Sequence, residues 1–239
     1  MQSLTGFFLI LLFSILSACS HHSLNHKTIE HPGSYTVIHL GYQKNNSSQF
    51  KTIINGREFL AEGTAYIPSP QSAILLENTI IEVGDLVLDV GTGAGVQAIF
   101  AAEKAKKVVA TDINPAAVKS TQLNARLNGL GDKIDVRLGD LFAPLNEDEQ
   151  FDVIISNIDY PYDTSNESLW KVHERFFAGV GKFLKYDGTI FYQSGWIRNI
   201  PRVMDMLERN GFIVKRLLML AADEQAREPI VFTIKHGVK

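Results

Sequence analysis

The chain has 239 residues, of which 45% are hydrophobic and 21% charged, and this favours one soluble globular domain with at most a small extension. Twenty-three basic and 26 acidic residues give a net charge of −3, which excludes a global basic surface for nucleic acid and leaves only a local patch open. The single cysteine excludes an intramolecular disulfide framework and a cysteine-cluster metal site, and we predict no metal ligands.

Residues 1–18 have the features of a cleaved export signal. The apolar run Phe7–Ile15 is shorter than the roughly 20 residues of a membrane-spanning helix and has the length of a signal-peptide core. Residues 16–19 read Leu-Ser-Ala-Cys and resemble the lipobox of bacterial lipoproteins, which implies cleavage before Cys19 and acyl lipid, such as palmitate, on that residue. We therefore expect a membrane-anchored lipoprotein of the bacterial cell envelope. Two alternatives stay open: an uncleaved anchor, or a mis-assigned start in a cytoplasmic protein.

Two short segments separate this signal from the main domain. Residues 20–34 hold four of the seven histidines without a cysteine or carboxylate cluster, so we interpret 19–34 as a polar tether rather than a metal site. Residues 35–67 are predicted to form a short β extension, because Tyr35–Tyr42 is rich in β-forming residues. Asn55-Gly56 stands between two strand-like runs, a strong signal for a β-hairpin.

Residues 68–239 show the alternation of an α/β domain. Residues 68–71 open a helix with Ala73, Leu76 and Ile80 on one face. The predicted strands are Leu86–Val90, Lys107–Thr111, Ile134–Leu138, Phe151–Ser156, Thr189–Gln193, Phe212–Leu220 and Pro229–His236. The further predicted helices are Val96–Lys104, a helix from Asn114-Pro115 to Asn128-Gly129, one with Leu169, Val172, Phe176, Val180 and Phe183 on a face, and one marked by Ile200, Val203, Met204 and Leu207. This order predicts a mostly parallel sheet with helices on both faces and an antiparallel final pair.

A glycine-rich loop follows the first of these strands. Residues 89–95 read Asp-Val-Gly-Thr-Gly-Ala-Gly, and glycines let a backbone turn sharply and approach a ligand closely. The dinucleotide fingerprint would place its third glycine at Val96, whereas here it comes at Gly95. This spacing, with Asp89 two residues before Gly91, resembles motif I of class I S-adenosylmethionine (SAM) methyltransferases. A nicotinamide oxidoreductase is the less favoured alternative. The resemblance implies a Rossmann-like, seven-stranded sheet whose last strand is antiparallel.

Acidic residues follow the next two strands. Asp112 ends the second strand, where a carboxylate can accept both hydroxyls of a ribose. Asp140-Leu141 follows the third strand, and the resemblance implies that Asp140 accepts from the adenine amine while Leu141 flanks the ring. We predict SAM as the cofactor. The candidate cofactor-binding residues are Asp89, Gly91, Thr92, Gly93, Gly95, Asp112, Asp140, Leu141 and Asn157.

The fourth strand leads into the candidate catalytic residues. Residues 151–160, FDVIISNIDY, resemble the FDxIxxNPPY motif of methyltransferases that act on planar nitrogen, such as glutamine amides and exocyclic amines of nucleobases. Residues 66–70 also resemble the IPRPET-like entry of the glutamine-methylating group. The resemblance implies that Asn157 accepts N–H bonds of the acceptor and that Tyr160 stacks on it. Ile158 and Asp159 replace the two prolines. Asp159 is a candidate general base or binds a cationic amine; alternatively, it only caps a turn.

Together these features predict a SAM-dependent methyltransferase that methylates a planar or amine nitrogen. The acceptor is a protein glutamine, a nucleobase or a small amine, and the net charge weighs against a long RNA. The alternative is a lipid-anchored protein that binds SAM or a nucleoside without transferring a methyl group.

Overall fold

The computed structural model describes residues 26–30, 36–44, 47–161, 166–219 and 229–237. In these ranges the strands are β1 His26–Glu30, β2 Thr36–Lys44, β3 Ser47–Ile54, β4 Arg57–Glu62, β5 Leu86–Val90, β6 Lys107–Asp112, β7 Ile134–Leu138, β8 Phe151–Ser156, β9 Leu184–Gly195, β10 Phe212–Met219 and β11 Pro229–His236. The helices are α1 Pro70–Asn78, α2 Val96–Ala101, α3 Pro115–Leu127, α4 Glu167–Phe183 and α5 Ile200–Arg209, with a 3-10 turn at Ile197–Asn199. The predicted signal segment, Cys19 and the loop 221–228 lie outside the described residues.

The main sheet has seven strands in the order β10-β11-β9-β8-β5-β6-β7. The strands from β9 to β7 run parallel, and β11 is antiparallel to both of its neighbours. One buried cluster lies on the side of α1 and α2, and a second lies on the side of α4 and α5, so helices cover both faces. The predicted Rossmann-like fold with an antiparallel last strand is confirmed. The strand order reverses beside β5, where such sheets bind ligands.

Short polar residues set where two of the helices begin. The Asn114 side chain accepts a hydrogen bond from the backbone N–H of Ala116 at 2.9 Å, and Pro115 occupies the first helical position of α3. The Asn166 side chain caps α4 in the same way, accepting from the backbone N–H of Leu169 at 3.3 Å. Each cap starts a helix directly after a strand or loop, which is how the chain returns across the sheet.

The N-terminal extension is a four-stranded antiparallel sheet rather than a single hairpin. Its hairpin turn is at Asn55-Gly56, as predicted, with positive φ angles of 48° and 77° that suit a two-residue turn. The strand β1 lies within residues 19–34, where the sequence predicted a tether. Short runs of this kind carry little periodic signal, and β1 becomes a strand by pairing with β2.

A fully buried asparagine, Asn124, joins this extension to the main domain. Its side-chain oxygen accepts from the backbone N–H of Leu60 at 2.9 Å, and its amide donates to the carbonyls of Leu60 and Ala94, each at 2.8 Å. Ser120 on the same helix accepts from the backbone N–H of Glu62 at 3.1 Å. The strand β4, the helix α3 and the glycine loop are therefore held together.

Several predicted positions differ in the structure. Ile80 lies beyond the end of α1 and is 64% exposed, so it is not part of that helix's buried face. Leu169 and Val172 are only partly buried, because α4 turns Trp170 and His173 into the core instead. The helix α2 ends at Ala101, before the predicted Lys104, whereas β9 is longer than its predicted core at Thr189–Gln193.

Among the residues that the structure describes, no helix combines the length and apolar character needed to cross a membrane. The predicted lipid anchor at Cys19 stays a prediction.

Candidate functional site

A cavity of about 350 Å³ opens at the carboxyl ends of β5, β6 and β8. This volume lies in the range of small-molecule sites. The predicted site residues on its wall are Gly91, Thr92, Gly93, Asp112, Asp140, Leu141, Asn157, Asp159 and Tyr160. Residues before α1, including Tyr66, Pro68 and Ser69, cover another side of the cavity. Of the predicted cofactor-binding and catalytic residues, Asp89 and Gly95 lie off the wall.

The glycine loop needs glycine for two different reasons. Gly91, Gly93 and Gly95 have positive φ angles of 75°, 58° and 84°, which side-chain-bearing residues rarely adopt. A Cβ atom on Gly95 would also come within 2.8 Å of the Thr121 side chain, so this glycine allows α2 to pack closely on α3. Gly95 therefore shapes the loop without touching the cavity.

Asp89 supports the loop from behind. Its carboxylate is buried and accepts a hydrogen bond from the Thr92 hydroxyl at 2.7 Å. Burial raises the pKa of Asp89 to about 7, although the Thr92 hydroxyl and the Ala98 amide act in the opposite direction. The sequence predicted Asp89 as a cofactor-binding residue, and the structure places it where it holds the turn.

Asp112 lies on the cavity wall and is bonded to the glycine loop. Its two carboxylate oxygens accept from the backbone N–H groups of Gly93 at 2.9 Å and Asn114 at 2.8 Å. Each carboxylate oxygen has a further lone pair, so Asp112 can still accept from hydroxyl groups of a ligand. The ribose-binding role of Asp112 stays a prediction.

Asp140 forms an ion pair at the edge of the cavity with Arg175, at a distance of 2.6 Å. The hydrogen bond to Asp140 raises the pKa of Arg175. Leu141 has a positive φ of 50°, and its carbonyl accepts from the Thr111 hydroxyl at 3.1 Å. This strained position turns the chain after β7 and brings Leu141 to the cavity wall.

Asn157 follows β8 and is tied to the first helix of the domain. Its amide nitrogen lies 3.4 Å from the Ser72 hydroxyl of α1. Because this contact uses the nitrogen, the amide oxygen is the atom with which Asn157 can accept an N–H group of a ligand.

A buried histidine holds the backbone at the positions where the resembling motif has prolines. The His173 Nε2 lies 3.0 Å from the Asp159 carbonyl oxygen, and the Tyr192 hydroxyl lies 2.9 Å from His173 Nδ1. A carbonyl can only accept, so Nε2 carries the proton and Nδ1 accepts from Tyr192. Burial lowers the pKa of His173 to about 4, which keeps the ring neutral. This chain of hydrogen bonds fixes the position of the Asp159 carbonyl.

The Tyr160 ring lies directly on the backbone of Gly195. A Cβ atom on Gly195 would come within 1.9 Å of the ring, so only glycine permits this packing. Tyr160 is 8% exposed and its position on the cavity wall is fixed by β9. Asp159 is exposed beside it on the same wall.

Two glutamines that the sequence analysis missed also line the cavity. Gln97 donates to the Ser72 carbonyl at 2.9 Å, but its buried side-chain oxygen has no partner among the described residues. Gln193 is fully buried, and neither its side-chain oxygen nor its side-chain nitrogen has a hydrogen-bond partner among the residues that the structure describes. Unpartnered buried polar atoms beside a cavity are the chemistry expected of a polar ligand, and they suit SAM, which carries an amino acid end and an adenosine.

The model of the ribosomal protein L11 methyltransferase (PrmA) family matches residues 35–218. The chain belongs to the ribosomal protein L11 methyltransferase family. Members named ribosomal protein L11 methyltransferase include one from Anoxybacillus flavithermus, 35% identical over 163 residues, and one from Bacillus subtilis, 33% identical over 163 residues. Each of these alignments covers 67% of this chain and 48% of the relative, so the chain spans about half the length of these relatives.

Solved structures show the same fold. The ribosomal protein L11 methylase of Lactobacillus delbrueckii has a TM-score of 0.57 and 24% identity, and the match covers 70% of this chain and 78% of that one. The tRNA m1G37 methyltransferase of Methanocaldococcus jannaschii has a TM-score of 0.63 and 20% identity, covering 82% and 57%. The matched family is one of methyltransferases, which is the predicted enzyme class, and SAM is the cofactor predicted for it. Membership of the methyltransferase group with an Asn-Pro-Pro-Tyr motif stays a prediction, based on the resemblance of residues 151–160 to that motif.

Proposed function

We propose that this protein is a SAM-dependent methyltransferase that methylates a nitrogen of a protein. One observation carries the proposal. Residues predicted to bind SAM and residues predicted to orient a nitrogen acceptor lie on the wall of one cavity, at adjacent strand ends. The family assignment supports the same chemistry.

The cofactor half of the cavity follows β5, β6 and β7. The turn at Gly91–Gly93 lets the backbone approach the ligand, and Asp112 accepts from ribose hydroxyls. Asp140 accepts from the adenine amine, and Leu141 flanks the ring. Bound SAM supplies an electrophilic methyl group on a sulfonium.

The acceptor half follows β8. Asn157 accepts an N–H bond of the acceptor through its amide oxygen, which fixes the direction of the nitrogen lone pair. Tyr160 forms the wall against which the acceptor packs. Asp159 provides an exposed carboxylate at the entrance, where it can take a proton or hold an amine.

The relatives' name makes ribosomal protein L11 the first acceptor to test. The fourth-strand motif adds glutamine amides, nucleobases and small amines as further classes. The decisive assay incubates the protein with tritiated SAM and either purified L11 or cell-envelope extract. Incorporation into a protein band supports the proposal. A protein that binds SAM but labels no fraction would instead be a SAM-binding protein without methyl transfer.

Replacing Asp112 with alanine should weaken the binding of SAM and of S-adenosylhomocysteine by about 1–3 kcal/mol, because ribose hydroxyls would lose their acceptor. Isothermal titration calorimetry measures both affinities. Asp132→Ala is the matched control, since this aspartate is exposed and off the cavity wall. Unchanged affinity in Asp112→Ala would remove Asp112 from the site.

We also propose that the protein is anchored to the cell envelope by lipid on Cys19, as the lipobox-like residues 16–19 suggest. Metabolic labelling with a fatty acid should tag the wild type and not Cys19→Ser, because the thiol is the attachment point. Equal labelling of both proteins, or an intact Met1 on the protein purified from cells, would contradict the anchor and favour a cytoplasmic protein.

A further inference from the structure

The loop after β8 is fixed by two buried side chains that belong to other elements. His173 of α4 holds the Asp159 carbonyl, with 3.0 Å between Nε2 and the oxygen. Asn199 lies in the 3-10 turn before α5, and its Nδ2 donates to the Pro161 carbonyl at 3.0 Å. Because these two carbonyls flank Tyr160, the backbone is held on both sides of that residue.

Asn199 also holds the surface on which the Tyr160 ring packs. The second N–H of its Nδ2 donates to the Gly195 carbonyl at 3.0 Å, and its backbone N–H donates to the Trp196 carbonyl at 2.9 Å. The Tyr160 ring lies on Gly195 without room for a Cβ atom between them. One side chain therefore connects the loop to the surface beneath the Tyr160 ring.

Two features of this connection lower the stability of the fold. Trp196 has a φ of 66°, a backbone angle that a bulky side chain rarely adopts. Asn199 is fully buried, and its Oδ1 has no hydrogen-bond partner among the residues that the structure describes. Strained backbone persists where the surrounding structure fixes it, and it is concentrated at functional sites. Stability alone does not account for this arrangement, whereas a fixed Tyr160 on the cavity wall does.

We propose that Asn199 is a positioning residue for the methyl acceptor, because it fixes Tyr160 against Gly195 and so sets where the acceptor lies relative to Asn157. This role rests on the proposed methyl transfer. Asn199 is not itself on the cavity wall, so it acts through Tyr160. The predicted SAM-binding loops follow β5, β6 and β7, on the other side of the point where the strand order reverses. Loss of Asn199 should therefore slow transfer without weakening cofactor binding.

The informative variant is Asn199→Ala, which removes both side-chain donors. The Gly195 carbonyl still accepts from the Ser194 hydroxyl at 3.1 Å, so the loss falls mainly on the Pro161 carbonyl. We expect kcat with tritiated SAM to fall about 10- to 100-fold, because a small misplacement of the acceptor slows the reaction. The Kd of SAM, measured by calorimetry, should stay within about twofold of the wild type.

Two controls separate this role from a general loss of stability. Val203→Ala opens a cavity in the fully buried face of α5, away from the cavity wall, so it should lower the melting temperature and keep kcat. Asn210→Ala removes an amide that donates to the Met206 carbonyl at 2.7 Å at the other end of α5, and it should transfer methyl groups as the wild type does. Rates are compared at a temperature at which every variant is folded.

A milder variant covers the case in which Asn199→Ala does not fold. Asn199→Ser keeps one hydroxyl donor in place of two N–H donors. It should show the same pattern, with a smaller fall in kcat and an unchanged Kd of SAM.

Fluorine NMR tests the position of Tyr160 without any turnover. The protein has seven tyrosines, and 3-fluorotyrosine is incorporated at all of them, with Tyr160→Phe identifying the signal of Tyr160. In the wild type we expect this signal away from the value of free 3-fluorotyrosine, because the ring is buried against Gly195. Asn199→Ala and Asn199→Ser should move it toward that value, and Val203→Ala should leave it in place.

An unchanged Tyr160 signal in the Asn199 variants would overturn the inference. So would a kcat equal to that of the wild type, an equal fall of kcat in Val203→Ala, or a loss of SAM affinity large enough to explain the lower rate. If the wild type transfers no methyl group while the Tyr160 signal moves in the Asn199 variants, the proposed function alone fails and the fixing of Tyr160 by Asn199 is supported.

Discussion

Replacing Asn157 with alanine is expected to lower the rate of methyl transfer by about 100- to 1,000-fold, with SAM affinity nearly unchanged. The loss has a geometric cause. The asparagine amide nitrogen is held by Ser72, so its oxygen is positioned to accept the acceptor N–H. Without that oxygen, the nitrogen lone pair has no fixed direction toward the methyl group. Single-turnover rates with tritiated SAM and calorimetric SAM affinities measure the two quantities separately.

Two controls test whether the effect belongs to the Asn157 oxygen. Ser72→Ala removes the hydroxyl that contacts the Asn157 amide and that also accepts from the backbone N–H of Ser69 at 3.5 Å, and it leaves the Asn157 oxygen in place, so it should slow transfer by about tenfold or less. Asn146→Ala changes an exposed asparagine away from the cavity wall and should behave as wild type. A rate for Asn157→Ala within about tenfold of wild type would show that this residue does not orient the acceptor.

Replacing Asp89 with asparagine should stabilise the fold, and the gain should grow with pH. Burial raises the pKa of Asp89 from 3.8 to about 7, so the folded protein holds a proton that the unfolded chain has already released. Wild-type stability therefore falls by up to about 4 kcal/mol as the pH rises from about 4 to above 7. Asparagine carries no charge and keeps one oxygen for the Thr92 hydroxyl, while the acceptor for the Ala98 amide is lost at every pH, so the growth of the difference with pH is the diagnostic quantity.

Chemical denaturation at several pH values measures this gain. The difference between Asp89→Asn and wild type should be near zero at about pH 4 and largest above about pH 7. Asp132→Asn, at an exposed position, should show no such trend. A constant difference at every pH would mean that the pKa of Asp89 is the same in the folded and the unfolded protein.

His173 changes the stability of the wild type with pH in the opposite direction to Asp89. Its pKa falls from 6.5 to about 4 on burial, so the unfolded chain binds a proton that the folded protein does not. Stability from this group is fully present above about pH 6.5, and about 3 kcal/mol is lost as the pH falls through 4. Because Asp89 and His173 oppose each other over this range, the wild-type profile alone is uninformative and the Asp89→Asn difference isolates one group.

Local sequence features were sufficient to predict which residues would lie together in the proposed cofactor half of the cavity. The loop needs glycine at Gly91, Gly93 and Gly95 because of backbone angles that neighbouring residues impose. Asp112 is the last residue of β6, and Asp140 follows the end of β7 by two residues. Parallel strands end at one edge, so the chain order of these motifs already predicted where they would meet.

The acceptor half depended on tertiary contacts. The pairing of His173 with the Asp159 carbonyl joins a helix to a loop, and α4 turned that histidine inward in place of the predicted Val172. Gln193 sits in a strand whose sequence pattern differs little from that of other buried strands. The structure distinguishes Gln193, because neither atom of its side-chain amide has a hydrogen-bond partner among the described residues. That property depends on every element packed around it.

The sequence by itself determined the order of strands and helices, the glycine loop and the acids after β6 and β7, because each depends on residues close together in the chain. Only the tertiary structure decided that Asp89 supports the loop from behind, that β1 joins the N-terminal sheet, and that His173 fixes the backbone after Asn157. Burial and hydrogen-bond pairing between distant segments set these features, and a linear pattern of residue types does not specify which distant groups will meet.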